Sequence, residues 1–317
     1  MKAIMYHYVR PDSGGMPYFR YLGLDDFRRQ LDHFATTAGF VSKVGFLRSL
    51  ATKTPQSNGV ILTFDDGLAD HAEHVLPELS KRGLWGLFYV STGHYATGRM
   101  LDVHRIHVLL GHHGGAKILD ALKELVTRDM MKAEDVGKFQ EITYRLQTND
   151  EATLAVKRVL NYFISYSWRP IVMDQLMLRF FDDGERELIG RHYVTPDQIR
   201  DLQRAGMVVG SHSVTHPVFS KLEEPAQREE IVNSFDFLEE ATGGLDVRTY
   251  CHPYGGFHSF NDTTERILTE QGSLFAFNVE SRDISAGDLS RRPQALPRYD
   301  CNQFPHGQAR LGDGELN

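Results

Sequence analysis

The chain is poor in the features that mark several large classes of protein. It has only two cysteines, Cys251 and Cys301, too few to staple a secreted disulfide scaffold and equally at home as reduced thiols. No apolar run reaches the length needed to span a bilayer, so no integral membrane segment is expected. Basic residues are in deficit: 35 Lys and Arg against 42 Asp and Glu leave a formal charge of -7, which argues against nucleic acid as the main partner. The opening residues, MKAIMYHYVR, carry no uninterrupted apolar core and no small-residue cleavage site. They read as a buried strand and not as a secretory signal, and a cytoplasmic location is expected. Internal repeats and low-complexity tracts are absent. Histidine, in contrast, is plentiful at 15 residues, which directs attention to metal or proton-transfer chemistry.

A length of 317 residues suits one large domain, or one domain carrying a sizeable insertion. The first third alternates short apolar runs with helical patterns, as βαβ units do. Ala3–Val9, Gly59–Phe64 and Leu84–Val90 read as strands, with helices over Leu24–Ala38 and Ala69–Arg82. GVILTF is apolar throughout, the mark of a strand covered on both faces. From Asp102 to Tyr193 the rhythm changes to helices alone, over Ala116–Arg128, Lys132–Leu146, Glu151–Ile164 and Asp174–Phe181. Alternation then returns. Helix Thr195–Ala205 opens on a Thr-Pro cap pair. Strands Met207–Ser211, Arg248–Cys251 and Leu274–Asn278 follow, with helices Pro225–Thr242 and Asp262–Gln271 between them. The expected architecture is α/β: a distorted (β/α) barrel, discontinuous over 1–101 and 194–306, with a helical insertion over 102–193. Residues 307–317 read as a frayed tail. The insertion is too long for a plain loop and is expected to serve as a lid or as a surface for homo-oligomer formation.

Two clusters carry the chemistry. Asp65 and Asp66 follow the buried strand GVILTF directly, and residues just past a barrel strand's C-terminal end line the active face. Asp and Gly are also ordinary turn residues, but two adjacent carboxylates repel unless a cation or proton intervenes. Ser211-His212-Ser213-Val214-Thr215-His216 follows another strand. Imidazoles four residues apart converge on one point if the backbone makes a helical turn, although either could equally be a core or surface histidine. Both clusters at strand ends on one face are far less expected by chance. Two histidines and one carboxylate leave coordination positions open, as a hydrolytic metal site requires.

Thr63-Phe64-Asp65-Asp66-Gly67 taken with His212-Ser213-Val214-Thr215-His216 resembles the polysaccharide deacetylases of carbohydrate esterase family 4, over residues 1–100 and 195–300 but not the insertion. The resemblance implies a distorted (β/α) barrel that hydrolyses N- or O-acetyl groups. It implies Asp65 as catalytic base, with Asp66, His212 and His216 holding a divalent metal, Zn by default and Co, Ni, Mn or Fe as alternatives. The family's Arg-x-Pro-Tyr motif stands here as Cys251-His252-Pro253-Tyr254. Pro253 and Tyr254 are thereby assigned to substrate binding, with the N–H of Tyr254 on the oxyanion. The arginine that usually orients the base is missing. Arg298, in Leu296-Pro297-Arg298-Tyr299-Asp300, is the candidate replacement from a neighbouring strand end, set against the plain alternative of a surface arginine. The family's Leu-x-His acid near the C-terminus is also missing. His7 at the end of the first strand is the best-placed substitute; His104 and His107 are others, and each taken alone reads more simply as a structural histidine.

The function expected is metal-dependent removal of an N-acyl group, N-acetyl by preference, from a sugar. Without a secretion signal, the partner expected is an acetylated amino sugar linked to a nucleotide, a lipid or an oligosaccharide, as a precursor of surface glycan. The alternatives are an amidase for a non-sugar amide and a catalytically impaired carbohydrate-binding relative. Tyr144, Tyr162, Phe163, Tyr166 and Trp168 would suit stacking on a sugar, but at helical spacing they read more simply as core.

Overall fold

Seven short runs rich in β-branched and aromatic residues pair side by side in one sheet, all in parallel. They are β1 (Lys2–Tyr6), β2 (Val60–Phe64), β3 (Leu87–Val90), β4 (Val208–Ser211), β5 (Thr249–Cys251), β6 (Phe275–Phe277) and β7 (Tyr299–Asp300). Their order is β6-β5-β4-β3-β2-β1-β7. Leu296, just before β7, makes a parallel bridge to Phe277 of β6, so the segment 296–300 touches both ends of the sheet. This is the expected barrel. The computed structural model describes residues 1–144, 149–182 and 184–312.

All five residues of β2 are buried, as a strand covered on both faces must be. Alternate residues go to different cores. Val60, Leu62 and Phe64 pack outward with Phe27, Leu31 and Phe34 of helix Leu24–Thr37. Ile61 packs with Ala3, Leu87, Tyr89, Val208, Cys251 and Phe277, drawn from the sheet's other strands, on the concave side. Register then sets the rim. Tyr6 pairs with Phe64, Val90 with Ser211, Ser211 with Tyr250 and Cys251 with Phe277. The residues that follow, His7, Asp65, Ser91, His212, His252 and Asn278, therefore gather at one end.

Contacts divide the chain into two compact units. The barrel unit is Met1–Pro11, Tyr21–Ala96 and Arg191–Ala309; the helical unit is Asp12–Arg20, Thr97–Gly190 and Arg310–Asn317. In the helical unit, helix Asp102–Leu125 bends at Gly114, and helices Glu151–Arg158 and Arg169–Phe181 accompany it. The Asp12–Arg20 loop is anchored there by Tyr18 N–H donating to Gly111 O at 2.8 Å. Arg105 is ion-paired with Asp102, Asp174 and Glu185. Tyr162 is buried core, whereas Trp168 is partly exposed. Among the described residues, no helix is long and apolar enough to cross a membrane.

Several local expectations change. The strand read as Ala3–Val9 stops at Tyr6, and Val9–Arg10 forms a separate strand paired with Arg20–Gly23. The helix read from Ala69 opens with a π turn over His71–Val75. A helical segment from Asp102 that the sequence reading left out precedes the helix read from Ala116, the two meeting at Gly114, where the backbone leaves helical geometry (φ 74°); the helix read from Asp174 begins at Arg169. Helix Ala133–Phe139 is shorter than the Lys132–Leu146 reading, whose last two residues lie outside the described residues. The tail is ordered in part: Gly307 N–H donates to Phe304 O and Gly312 N–H to Phe19 O, while residues 313–317 lie outside the described residues.

Candidate active site

Period-two alternation along β2 carries Thr63 and Asp65 to the same concave side as Ile61. Arg298 reaches that side from the approach to β7. Its guanidinium is 1 % exposed, and all five N–H donors find acceptors. Nη1 and Nη2 each donate to one Asp65 oxygen at 2.8 Å. Nη1 also meets Thr63 Oγ1 at 3.0 Å, Nη2 meets Cys251 Sγ at 2.9 Å, and Nε meets the Asn278 carbonyl at 3.1 Å. The planar fork matches the carboxylate in the strong bidentate geometry.

Asp65 is 2 % exposed. Burial alone would raise its carboxyl, but the Arg298 guanidinium more than offsets this and holds it at about 2. The Cys251 thiol donates to Asp65 Oδ2 at 3.5 Å; burial raises its pKa against the pull of Arg298, so it stays a thiol. Asp65, His212 and Cys251 are close enough together to hold an ion, but the guanidinium already engages both the Asp65 and Cys251 atoms.

Asp66 points elsewhere. Its φ of 81° turns the chain sharply after Asp65, so adjacent carboxylates face different partners. Asp66 Oδ1 lies 3.4 Å from His212 Nε2 and 3.5 Å from His216 Nε2, all three side chains being buried. Two ligands bound at about 2.05 Å and a tetrahedral angle stand roughly 3.3 Å apart, so this spacing fits a small divalent ion. The donor chemistry agrees. His212 Nδ1–H donates to the Cys251 carbonyl at 2.8 Å, which directs the lone pair of Nε2 towards Asp66. The residues therefore fit a metal. The backbone between the two histidines is not the helical turn their spacing suggested. It is a bend with positive φ at Ser213 (67°) and His216 (55°), and the rings stand edge to face at 4.8 Å.

Pro253 is buried, and Tyr254 follows at φ 61°, its ring edge-on to His216 at 4.8 Å. Gly255 is required next: its φ is 71°, and a Cβ there would lie 2.3 Å from Val279 Cγ2. The loop thus lies beside the cluster of Asp66, His212 and His216, with the Tyr254 ring against His216. His7 Nε2 is 4.0 Å from Asp66 Oδ2, and the side chain is 38 % exposed, open to solvent at the rim. His104 and His107 belong to the helical unit, on helix Asp102–Leu125. The sequence reading missed two contributors. Cys251 joins the Arg298–Asp65 pair, and Glu230, in helix Glu224–Thr242, accepts hydrogen bonds from the loop between the histidines. Cys251 was read only as the place of a missing arginine, and Glu230 stands in no recognisable motif.

Comparison with known proteins agrees with this geometry. The family model described as polysaccharide deacetylase matches residues 175–275, a span that holds His212, His216 and the Pro-Tyr-Gly loop but not the aspartate pair. No curated protein matches the sequence significantly. Solved structures share the fold over nearly the whole chain. The Streptococcus pyogenes deacetylase PplD in complex with acetate is 17 % identical, with a TM-score of 0.56, over 95 % of this chain and 91 % of that one. IcaB from Ammonifex degensii is 20 % identical, with a TM-score of 0.53, over 94 % and 91 %. The BpsB deacetylase domain from Bordetella bronchiseptica is 14 % identical, with a TM-score of 0.51, over 95 % of each chain. The polysaccharide deacetylase model thus falls on the segment that holds both histidines, within a barrel fold shared with solved deacetylases.

Proposed function

We propose that this protein is a metal-dependent hydrolase that removes an N-acetyl group from a sugar. The observation that carries the reading is a carboxylate kept ionised by a buried arginine, Asp65, directly beside a separate cluster of one carboxylate and two imidazoles. Asp66, His212 and His216 would hold the ion, with zinc as the default for mixed imidazole and carboxylate donors. When bound, it supplies Lewis acidity towards water and the amide carbonyl. Asp65 accepts the proton of the attacking water, as its depressed pKa keeps it ionised. Arg298 holds that carboxylate in place and does not itself touch the substrate. The N–H of Tyr254 donates to the oxyanion that forms on the acyl carbon. His7, exposed at the rim, delivers a proton to the departing amine. Acetate, which PplD holds in its structure, is the acid this reaction would release.

Arg298 on Asp65 weighs against a degenerate, merely carbohydrate-binding relative, because the charge missing from position 251 is supplied from position 298. The substrate proposed is an acetylated amino sugar carried on a nucleotide, lipid or oligosaccharide, as used in building surface glycan. The test is metal content by elemental analysis, together with acetate release from a panel of acetamido sugars, with cyclic amides as controls. One bound equivalent of metal, lost in His212→Ala, and release from the sugars alone are expected. Turnover of cyclic amides in preference to every acetamido sugar would make the enzyme an amidase of another class.

A further inference from the structure

The bend from Ser213 to His216 carries two non-glycine residues at positive φ, a strained backbone that persists only where the surroundings over-determine it. The surroundings here are specific. Glu230 Oε2 accepts the backbone N–H of Val214 at 2.9 Å and of Thr215 at 2.8 Å, and Glu230 Oε1 accepts the Thr215 hydroxyl. From the opposite direction, the N–H groups of Thr92 and Gly93 donate to the carbonyls of Ser213 (3.1 Å) and Val214 (2.8 Å). Gly93 is glycine because a Cβ would lie 2.8 Å from the Val214 oxygen. Ser213 Oγ, inside the bend, accepts the His216 N–H at 3.0 Å. The bend is thus held from both sides, and the Val214 and Thr215 donors at its centre all converge on one carboxylate.

We propose that Glu230 is a positioning residue for the metal site: it fixes the backbone bend that aims His216 at the point shared with Asp66 and His212. This rests on the reading of those three residues as metal ligands. Glu230 sits on helix Glu224–Thr242, whose Ser234 Oγ also bonds Ser211 Oγ at 2.6 Å, so one helix grips the histidine segment at two points. Its carboxylate is a better acceptor for two N–H groups than a neutral amide, since charge-assisted bonds are roughly twice as strong.

The experiment is zinc affinity by chelator competition for the wild-type protein and Glu230→Gln, with the thermal midpoint of both metal-free proteins measured alongside. Outer partners of metal ligands typically set affinity by about 10–100-fold, and a loss in that range is expected whether or not the metal-free midpoint also falls. A purely structural glutamate would lower the midpoint and leave affinity alone, and an affinity within twofold of wild type would overturn the proposal. If Glu230→Gln does not fold, Thr215→Val removes one of the three donors and decides the matter: a several-fold loss supports the role, and none overturns it. A wild-type protein that binds no zinc would instead bring down the metal-site reading itself.

Discussion

Replacing Arg298 by Met removes the guanidinium while keeping a side chain of similar length in the barrel. It leaves Asp65 buried with no counter-charge, and the cost follows from the geometry. Arg298 lowers the Asp65 pKa from 3.8 to about 2 against the opposing effect of burial, which is linked to about 2 kcal/mol of folding stability. Removing one partner of a buried pair generally costs about 3–5 kcal/mol, because the other charge stays in the low-dielectric interior. Arg298→Met should therefore lose about 3–5 kcal/mol at pH 7 by urea denaturation. The sign of the pH dependence is diagnostic. In the wild type the folded pKa is depressed, so the contribution is complete above pH 4 and is lost as pH falls towards 2. In the variant, burial loses its main opponent and raises Asp65, so the folded state takes up a proton first and the deficit against wild type narrows as pH is lowered. The acid limb of kcat/KM for acetamido-sugar hydrolysis should move to higher pH in step. Arg298→Lys should recover only part, since an ammonium cannot reproduce the fork. A variant with less than about 1 kcal/mol of destabilisation and a pH profile parallel to wild type would refute the account of how Asp65 is kept ionised.

Asp65→Asn should lower turnover by about two to four orders of magnitude while leaving metal content intact, because the base is not among the proposed ligands. Equal loss of bound metal, read by elemental analysis, would place Asp65 in the coordination set. His252 is buried, stacked on Phe260 at 3.7 Å, and donates Nε2–H to the Gln294 carbonyl at 2.7 Å; burial lowers its pKa from 6.5 to about 3. The folded state keeps it neutral while the unfolded chain takes a proton below pH 6.5, so stability falls with pH across the window from 6.5 to 3. Between pH 7 and 5 wild type should lose about 2 kcal/mol more than His252→Gln in urea denaturation, and equal losses would count against this. Gly255→Ala should destabilise by about 2–4 kcal/mol, through positive-φ strain and the clash with Val279 together, and should weaken the Tyr254 N–H contact to the oxyanion, read as a lowered kcat. A fully stable Gly255→Ala protein would mean that the loop relaxes freely.

How much of this was readable beforehand depends on the range of the interaction. Strand positions followed from apolar runs, since a strand covered on both faces leaves an unbroken signature, as VILTF does. The helix at Pro196 followed from its cap, and the structure has the full capping box of Thr195 and Gln198. Helix Lys43–Thr52 went unread because exposed Val44 and Thr52 blur its periodicity, and Tyr299–Asp300 was read only as a strand end beside Arg298, because two residues carry no period at all. The π turn at His71–Val75 is invisible to any 3.6-residue pattern.

By itself the sequence determined the alternation of strands and helices, the positions of Asp65, Asp66, His212 and His216 at strand ends, and the absence of arginine at position 251. Those are local properties, decided by residues a few places apart. Only the folded barrel decided that Arg298 meets Asp65 across 233 positions, that the two aspartates turn to different partners, and that Glu230 holds the histidine bend. The physical reason is that such contacts depend on strand register and on which side of the sheet each residue takes, and these are set by the packing of all seven strands together.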